Sequence, residues 1–288
     1  MVRDLKEITA IWAEKLEKYY SEREIRNLLL IVLEDSLGFN RSELLVSREI
    51  ELAEKQEEEL EQILVRLQTG EPVQYVIGFT YFDDLKIGVA PGVLIPRPET
   101  EELVSWIAET ISGRENPEIE DWCTGSGCIA LALKNRKPGA RVKGTDISPE
   151  ALQIAKNNAK ELELEVEFEL RNALKAEKTT GVDLIVSNPP YIPWQEKEQM
   201  HQNVTEFEPD LALFVPNEDP LLFYRSLAEY AAKSLNDKGY LFFELHENYG
   251  QETKTMVEEL GFSAVEIRKD LQGKDRMLKA QWLVDRIE

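Results

Sequence analysis

From about residue 118 onward, short apolar runs alternate with segments of helical periodicity, and this alternation limits the possible folds more than any other feature of the chain. It is typical of a mostly parallel sheet that helices cover on both faces. In such sheets ligands bind beyond the carboxyl ends of the strands, so motifs at strand ends are the first candidates for a site. Strands are predicted near 118–122, 141–145, 166–169, 182–187, 240–245, 264–268 and 277–283, and helices near 128–136, 149–162, 220–235 and 249–260.

The first part of the chain has a helical pattern instead. Residues 1–72 carry apolar side chains at helical spacing, and Ser21-Glu22-Arg23-Glu24 is a capping box that begins a second helix. A third helix is predicted over roughly 48–68. We therefore expect a small helical bundle before the α/β domain.

Between these two parts, residues 73–98 contain two strand-like runs separated by Asp83-Asp84, which predicts a β-hairpin linker. The linker is counted with the α/β domain. The predicted domains are therefore 1–72 and 73–288.

The charge balance restricts the class of partner. The chain of 288 residues has 34 Lys and Arg against 55 Asp and Glu, a formal net charge of −21. Proteins that neutralise many phosphates normally have a basic face, so stable nucleic-acid binding is disfavoured and a basic protein partner is favoured.

The chain shows no apolar run of membrane-spanning length and no apolar signal core at its N-terminus, so no membrane association is expected. Cys123 and Cys128 match no common zinc or redox spacing. We expect free thiols and a cytoplasmic protein.

A glycine-containing loop follows the first strand of the predicted sheet. Its residues are Asp121-Trp122-Cys123-Thr124-Gly125-Ser126-Gly127, and they open a helix. Glycines allow a tight turn and close approach to a ligand. The second strand ends at Asp146, 19 positions after Gly127, where a carboxylate can accept hydrogen bonds from ribose hydroxyls. The third strand ends near Arg171-Asn172-Ala173, where an adenine edge would lie.

Together these strand ends favour an adenosine-type ligand. A dinucleotide is disfavoured, because Ala130 occupies the position of the third glycine in Gly-x-Gly-x-x-Gly.

The fourth strand is followed directly by Asn188-Pro189-Pro190-Tyr191. An Asn side-chain oxygen and a proline-restricted backbone carbonyl can bind both hydrogens of an NH2 group, which suits chemistry on a planar amino or amide nitrogen. The same residues could be only a proline-rich turn that closes a buried strand. The adenosine-type site upstream favours the first interpretation and narrows the ligand to a methyl donor.

With these motifs the chain resembles the release factor glutamine methyltransferases of the HemK/PrmC type over nearly its whole length. The Arg-Pro-Glu-Thr-Glu element and the helical N-terminal domain distinguish that family from other methyltransferases with Asn-Pro-Pro-Tyr. The segments that carry the resemblance are 70–78, 94–101, 124–127, 145–152, 187–192, 207–209 and 269–276.

The resemblance implies an S-adenosylmethionine-dependent, Rossmann-like class I methyltransferase domain with seven strands, the last antiparallel, behind a helical substrate-recognition domain. It implies methylation of the glutamine amide in the Gly-Gly-Gln motif of class I peptide release factors. By position, 124–127 would flank the methionine part of the donor, with Asp121 and Cys123 in the same loop. Asp146 would bind the ribose, and Asn172 with Ala173 the adenine.

The acceptor glutamine would be held by 188–191. Asn188 Oδ1 and the Pro189 carbonyl are predicted to accept the two amide hydrogens, while Tyr191 packs against the glutamine and Pro190 stiffens the wall. Asn188, Pro189 and Tyr191 are thus the predicted catalytic residues, and Asn188 is also counted among the residues that contact the donor. The sulfonium methyl is already activated, so no metal is expected.

The chain also departs from the family pattern. Cys123 stands where the family usually has glycine, and we interpret it as a tolerated neighbour of the donor rather than a nucleophile. Residues 214–220 replace a glycine-rich stretch.

Two other functions remain open. A DNA adenine amino methyltransferase uses the same acceptor tetrapeptide, but it must extract its base and grip the backbone with cations, which the acidic balance opposes. A non-catalytic donor-binding protein is weakened because Asp146, Asn188 and Tyr191 occur together. An assay with a DNA substrate distinguishes the first alternative from methylation of a release factor. Donor binding without methyl transfer to either substrate would support the second alternative.

Overall fold

The computed structural model describes residues 2–284, which fold as two compact units. The first contains the chain up to Phe79 together with His201–Phe207, and the second contains Thr80–Met200 and the chain from Glu208 onward. The last four residues of the predicted α/β domain lie outside the described part. The division of the chain into functional domains at residue 72 stays a prediction.

The α-helices of residues 2–284 are numbered in chain order. They are α1 (Leu5–Leu16), α2 (Glu22–Ile31), α3 (Arg41–Val46), α4 (Glu54–Leu67), α5 (Val73–Ile77), α6 (Pro98–Thr110), α7 (Cys128–Arg136), α8 (Pro149–Glu161), α9 (Gln202–Phe207), α10 (Asp210–Leu213), α11 (Leu222–Ser234) and α12 (Gly250–Glu259). None of these helices is both long and apolar enough to span a bilayer.

The strands are numbered in the same way. They are β1 (Val2–Asp4), β2 (Glu49–Glu51), β3 (Phe79–Phe82), β4 (Leu85–Gly88), β5 (Glu118–Trp122), β6 (Arg141–Asp146), β7 (Glu167–Leu170), β8 (Val182–Ser187), β9 (Ile192–Pro193), β10 (Phe214–Val215), β11 (Leu235–Glu244), β12 (Ser263–Lys269) and β13 (Asp275–Gln281).

The helical unit contains the predicted capping box and differs from the sequence prediction at its third helix. The Ser21 N–H donates to the Glu24 carboxylate at 2.7 Å, and the Glu24 N–H donates back to the Ser21 hydroxyl. The predicted start of the third helix near residue 48 is wrong, because β2 pairs antiparallel with β1 and α4 begins only at Glu54. The core of the helical unit is formed by buried aliphatic side chains and Trp12.

The larger unit contains a seven-stranded sheet in the order β12-β13-β11-β8-β5-β6-β7. The pairs β11–β8, β8–β5, β5–β6 and β6–β7 are parallel, and β13 runs antiparallel to both of its neighbours. Leu184, Ile185 and Val186 of β8 are all buried, so both faces of this central strand are covered. The predicted seven-stranded, mostly parallel sheet with an antiparallel last strand is confirmed.

The predicted hairpin is formed by β3 and β4, whose two-residue turn places Asp83 and Asp84 at φ 50° and 62°. The Asn158 side chain of α8 hydrogen-bonds both the N–H and the carbonyl of Gly88, at 2.8 and 3.0 Å. The same amide donates to the Ser126 carbonyl at 2.9 Å. Asn158 thereby connects the hairpin to the glycine loop.

Candidate functional site

A cavity of about 460 Å³ opens at the carboxyl ends of β5, β6 and β8. The order of the strands across the sheet reverses here, because β6 and β7 lie on one side of β5 and β8 lies on the other. Ligands of open α/β sheets bind at such switch points, and the volume suits a small molecule. The predicted site residues that line the cavity are Cys123, Thr124, Gly125, Ser126, Asp146, Asn172, Ala173, Asn188 and Pro190.

Four predicted site residues do not line the cavity: Asp121, Gly127, Pro189 and Tyr191. Asp121 is fully buried beneath the loop, where its Oδ2 accepts the Thr124 hydroxyl at 2.5 Å. Burial raises the pKa of Asp121 to about 7, and the hydrogen bond from Thr124 opposes that shift. The structure thus places Asp121 where it supports the loop rather than where it faces a ligand.

The glycine loop is held in a left-handed backbone conformation at three positions. Cys123, Gly125 and Gly127 have φ angles of 60°, 54° and 82°. Only glycine adopts this region at little cost, so Cys123 is strained where it stands. Burial also raises the pKa of the Cys123 thiol far above its usual range, which keeps the thiol protonated.

Asp146 connects the loop to the helix that follows β6. Its Oδ2 accepts the Gly125 N–H and its Oδ1 accepts the Ser148 N–H, both at 2.9 Å. Burial raises the pKa of Asp146, and these backbone hydrogen bonds oppose the shift. Ser126, on the same wall, is buried with a hydroxyl that bonds to no protein group among residues 2–284. The wall therefore offers both acceptors and a free hydroxyl to a ligand.

The third strand end forms another part of the cavity. Asn172 Oδ1 accepts the Leu174 N–H at 2.8 Å and so fixes a short turn that contains the buried Ala173. The Arg171 guanidinium lies 4.5 Å from the centre of the Trp122 ring, a cation–π distance. Arg171, Asn172, Ala173 and Leu174 all line the cavity, so this strand end offers a ligand both polar and apolar side chains.

The acceptor tetrapeptide places its residues in different surroundings. Asn188 and Pro190 line the cavity, and within residues 2–284 no protein group hydrogen-bonds the Asn188 amide. Pro189 is buried and Tyr191 is half-buried. The Tyr191 hydroxyl donates to Glu244 Oε1 at 3.1 Å, and burial strongly raises the pKa of the phenol. Of the four residues of the tetrapeptide, Asn188 is thus the one whose side-chain amide is free and faces the cavity.

Sequence reasoning missed the outer wall of the cavity, which is formed by 209–212. This wall follows Glu208, whose buried carboxylate accepts the Ile95 N–H at 3.1 Å and pairs with Arg97 at 2.6 Å. The short strands β9 and β10 pair in parallel just beyond it. Glu208 lies in a segment that carries the family resemblance, but no local pattern in the sequence indicates its partners.

Glu244 was missed as well. It ends β11 and is 2% exposed, and its carboxylate accepts the hydroxyls of both Tyr191 and Thr100. No group of three or more His, Cys, Asp or Glu side chains in the described part of the chain could hold a metal ion.

Comparison with protein families matches both parts of the chain. Residues 7–78 match the family described as "PrmC N-terminal domain", and residues 100–207 match "Methyltransferase small domain".

Individual relatives match over nearly the full length. A protein of Bacteroides thetaiotaomicron named release factor glutamine methyltransferase is 43% identical over 278 residues, 95% of this chain and 98% of the relative. A protein of the same name from Flavobacterium psychrophilum is 40% identical over 275 residues, 94% of this chain and 96% of the relative.

Solved structures share the fold at low sequence identity. A SAM-dependent O-methyltransferase from Thermotoga maritima has a TM-score of 0.50 at 17% identity, covering 68% of this chain and 69% of that one. A ribosomal protein L11 methylase from Lactobacillus delbrueckii subsp. bulgaricus has a TM-score of 0.50 at 20% identity, covering 69% and 86%. These likenesses confirm the class I methyltransferase fold.

Proposed function

Because this chain belongs to the release factor glutamine methyltransferase family, we propose that it methylates the glutamine side-chain amide in the Gly-Gly-Gln motif of class I peptide release factors, with S-adenosylmethionine as donor. One observation carries the proposal: the free amide of Asn188 lines the same cavity as the glycine loop and Asp146. A donor and an amide acceptor can therefore meet at one place.

The residues around the cavity fit the proposed donor. Thr124, Gly125 and Ser126 flank the methionine part at the cavity, and Gly127 turns the chain behind them into α7. The free Ser126 hydroxyl supplies a buried polar partner there. Asp146 binds the ribose, since each of its oxygens keeps a lone pair beside the backbone N–H that it accepts. Asn172 and Ala173 form the adenine surface. Asp121 acts indirectly, by holding Thr124.

When bound, S-adenosylmethionine supplies a methyl group that its sulfonium has already activated. The protein's task is the acceptor, because an amide lone pair is delocalised into the carbonyl. At the cavity, Asn188 Oδ1 accepts one amide hydrogen and Pro190 confines the glutamine. Pro189 and Tyr191 lie beside the cavity lining, and we assign to the Pro189 carbonyl the second amide hydrogen and to Tyr191 the packing against the glutamine side chain. The donor would give up its methyl group to the amide nitrogen and leave as a neutral thioether that keeps the C–S electron pair. The nitrogen would lose one of its two protons to water. Such orientation lowers the barrier by several kcal/mol.

We assign substrate recognition to the helical residues 1–72 and methyl transfer to 73–288. The partner is a protein, and neither stable nucleic-acid binding nor a membrane is part of the proposal. A net charge of −21 favours a basic surface on that partner. The site of action is the cytoplasm, where release factors work. No metal is required by the chemistry.

The test is transfer of labelled methyl groups from S-adenosylmethionine to a recombinant class I release factor. We expect label on the wild-type release factor and none on a form whose Gly-Gly-Gln glutamine is replaced by alanine. A DNA substrate is assayed alongside. Label on DNA, or donor binding without transfer to either substrate, would contradict the proposal.

A further inference from the structure

A buried carboxylate lies behind the acceptor tetrapeptide. Glu244 is 2% exposed, its Oε1 accepts the Tyr191 hydroxyl at 3.1 Å, and its Oε2 accepts the Thr100 hydroxyl at 2.6 Å. Both carboxylate oxygens are therefore engaged by hydroxyl donors. Burying a carboxylate costs free energy unless it is hydrogen-bonded or paired, so a role for Glu244 beyond packing is expected.

Tyr191 is restrained from three directions. Its hydroxyl bonds to Glu244, its ring makes an edge contact with His246 at a centroid distance of 5.9 Å, and its backbone N–H donates to the Leu213 carbonyl at 3.3 Å. A rotation about Cα–Cβ would move the hydroxyl and break its bond to Glu244, so this bond fixes the direction in which the ring points. Rotation about Cβ–Cγ leaves the hydroxyl in place and is limited by the edge contact with His246.

The other partner of Glu244 belongs to the cavity wall. Thr100 is buried in α6 and lines the cavity, so one carboxylate joins the acceptor tetrapeptide to the donor cavity. Burial raises the pKa of Glu244, while the Thr100 hydroxyl and the nearby Arg276 charge oppose the shift.

We propose that Glu244 is a positioning residue for methyl transfer, because it fixes the ring of Tyr191 against which the acceptor glutamine packs. The inference rests on the proposed function, since it takes Tyr191 to be part of the acceptor site. Glu244 itself touches neither reactant.

The test is a double-mutant cycle with Glu244→Gln, Tyr191→Phe and the double variant. Glutamine preserves the volume but has one acceptor oxygen for two hydroxyls. Each single variant is expected to lower kcat for release factor methylation about 10-fold. The double variant is expected to lower kcat no more than about 2-fold further, because the two substitutions remove the same contact, that of the Tyr191 hydroxyl with Glu244. The donor Kd is expected to stay within about 2-fold in all three.

Tyr230→Phe is the matched control. It removes a hydroxyl that donates at 2.6 Å to a different buried carboxylate, Glu120. We expect it to lower stability but to leave kcat within about 2-fold of wild type. Fully additive losses in the cycle, a comparable loss in the control, or a weakened donor Kd in Glu244→Gln would overturn the inference.

A spectroscopic measurement separates this inference from the proposed function. With 3-fluorotyrosine at position 191, the fluorine resonance is expected to move in Glu244→Gln and to stay in place in Tyr230→Phe. An unmoved resonance overturns the positioning role whatever the substrate is. A wild-type enzyme that fails to label the release factor contradicts only the proposed function, and the resonance then still decides whether Glu244 orients the ring.

Discussion

The guanidinium of Arg97 lies 2.6 Å from Oε1 of Glu208, although 111 positions separate the two residues in the chain. The Glu208 side chain is 1% exposed, and it also accepts the Ile95 N–H. The pair thereby fastens the segment that forms the outer wall of the cavity to the residues before α6.

Glu208→Ala should therefore destabilise the protein by about 3 kcal/mol, because it leaves an arginine and a backbone N–H without their buried partner. The matched control is Asp219→Ala, which breaks an exposed pair with Arg225 of similar length, 2.7 Å. Its cost should stay below about 1 kcal/mol. Urea unfolding of both variants measures the difference, and equal losses would show that Glu208 is no anchor.

Asn188 and Asn172 line the same cavity but are assigned to different reactants. Asn188→Ala should lower kcat for methyl transfer by about 100-fold, because the acceptor amide loses its orientation, while the donor Kd changes by less than about 3-fold. Asn172→Ala should weaken donor binding about 10-fold and change kcat much less. Calorimetric donor binding and single-turnover transfer distinguish them. Nearly intact turnover in Asn188→Ala would refute its role.

Cys123 has a φ of 60° in a loop where its neighbours with positive φ are glycines. The left-handed conformation costs a non-glycine residue about 1–2 kcal/mol, and glycine adds about 0.5–1 kcal/mol of unfolded-state entropy to be lost on folding. Cys123→Gly should therefore raise the free energy of unfolding by up to about 1.5 kcal/mol, the difference of these two effects. Cys123→Ala retains the strain and should give no gain. Equal stability of the two variants in urea would contradict this.

The parts of the site that the sequence predicts are those whose signals are local. The glycine loop and Asp146 each follow a strand that has its own apolar pattern, and parallel strands bring their carboxyl ends together. The same reasoning places Asn188 at the cavity. For these residues the position along the strand is enough.

The parts that the sequence does not predict depend on distant partners. Glu244 contacts Tyr191 across 53 positions and Thr100 across 144, and no spacing rule relates them. The sequence pattern predicts a helix where β2 lies, because the partner strand β1 is at the start of the chain and no local signal relates the two segments. A segment's neighbours in space override its own periodicity in such cases.

Asp121 predicts a specific dependence of stability on pH. Burial raises its pKa from 3.8 to about 7, so between these values the folded protein keeps a proton that the unfolded chain has released. The stability that this proton contributes is complete below pH 4 and is lost as the pH rises to about 7. The full effect is on the order of 4 kcal/mol, of which somewhat more than a third falls between pH 5.5 and 7.

Asp121→Asn removes the titration and keeps an oxygen that can accept the Thr124 hydroxyl, now 2.5 Å from Oδ2. The unfolding free energy of wild type minus that of the variant, measured in urea without donor from pH 5.5 to 8, should fall as the pH rises and level off above about 7. Asp146 and Glu244, whose pKa values are also raised by burial, are present in both proteins and largely cancel in the difference. A difference that is flat across this range would mean that Asp121 is already ionised in the folded protein.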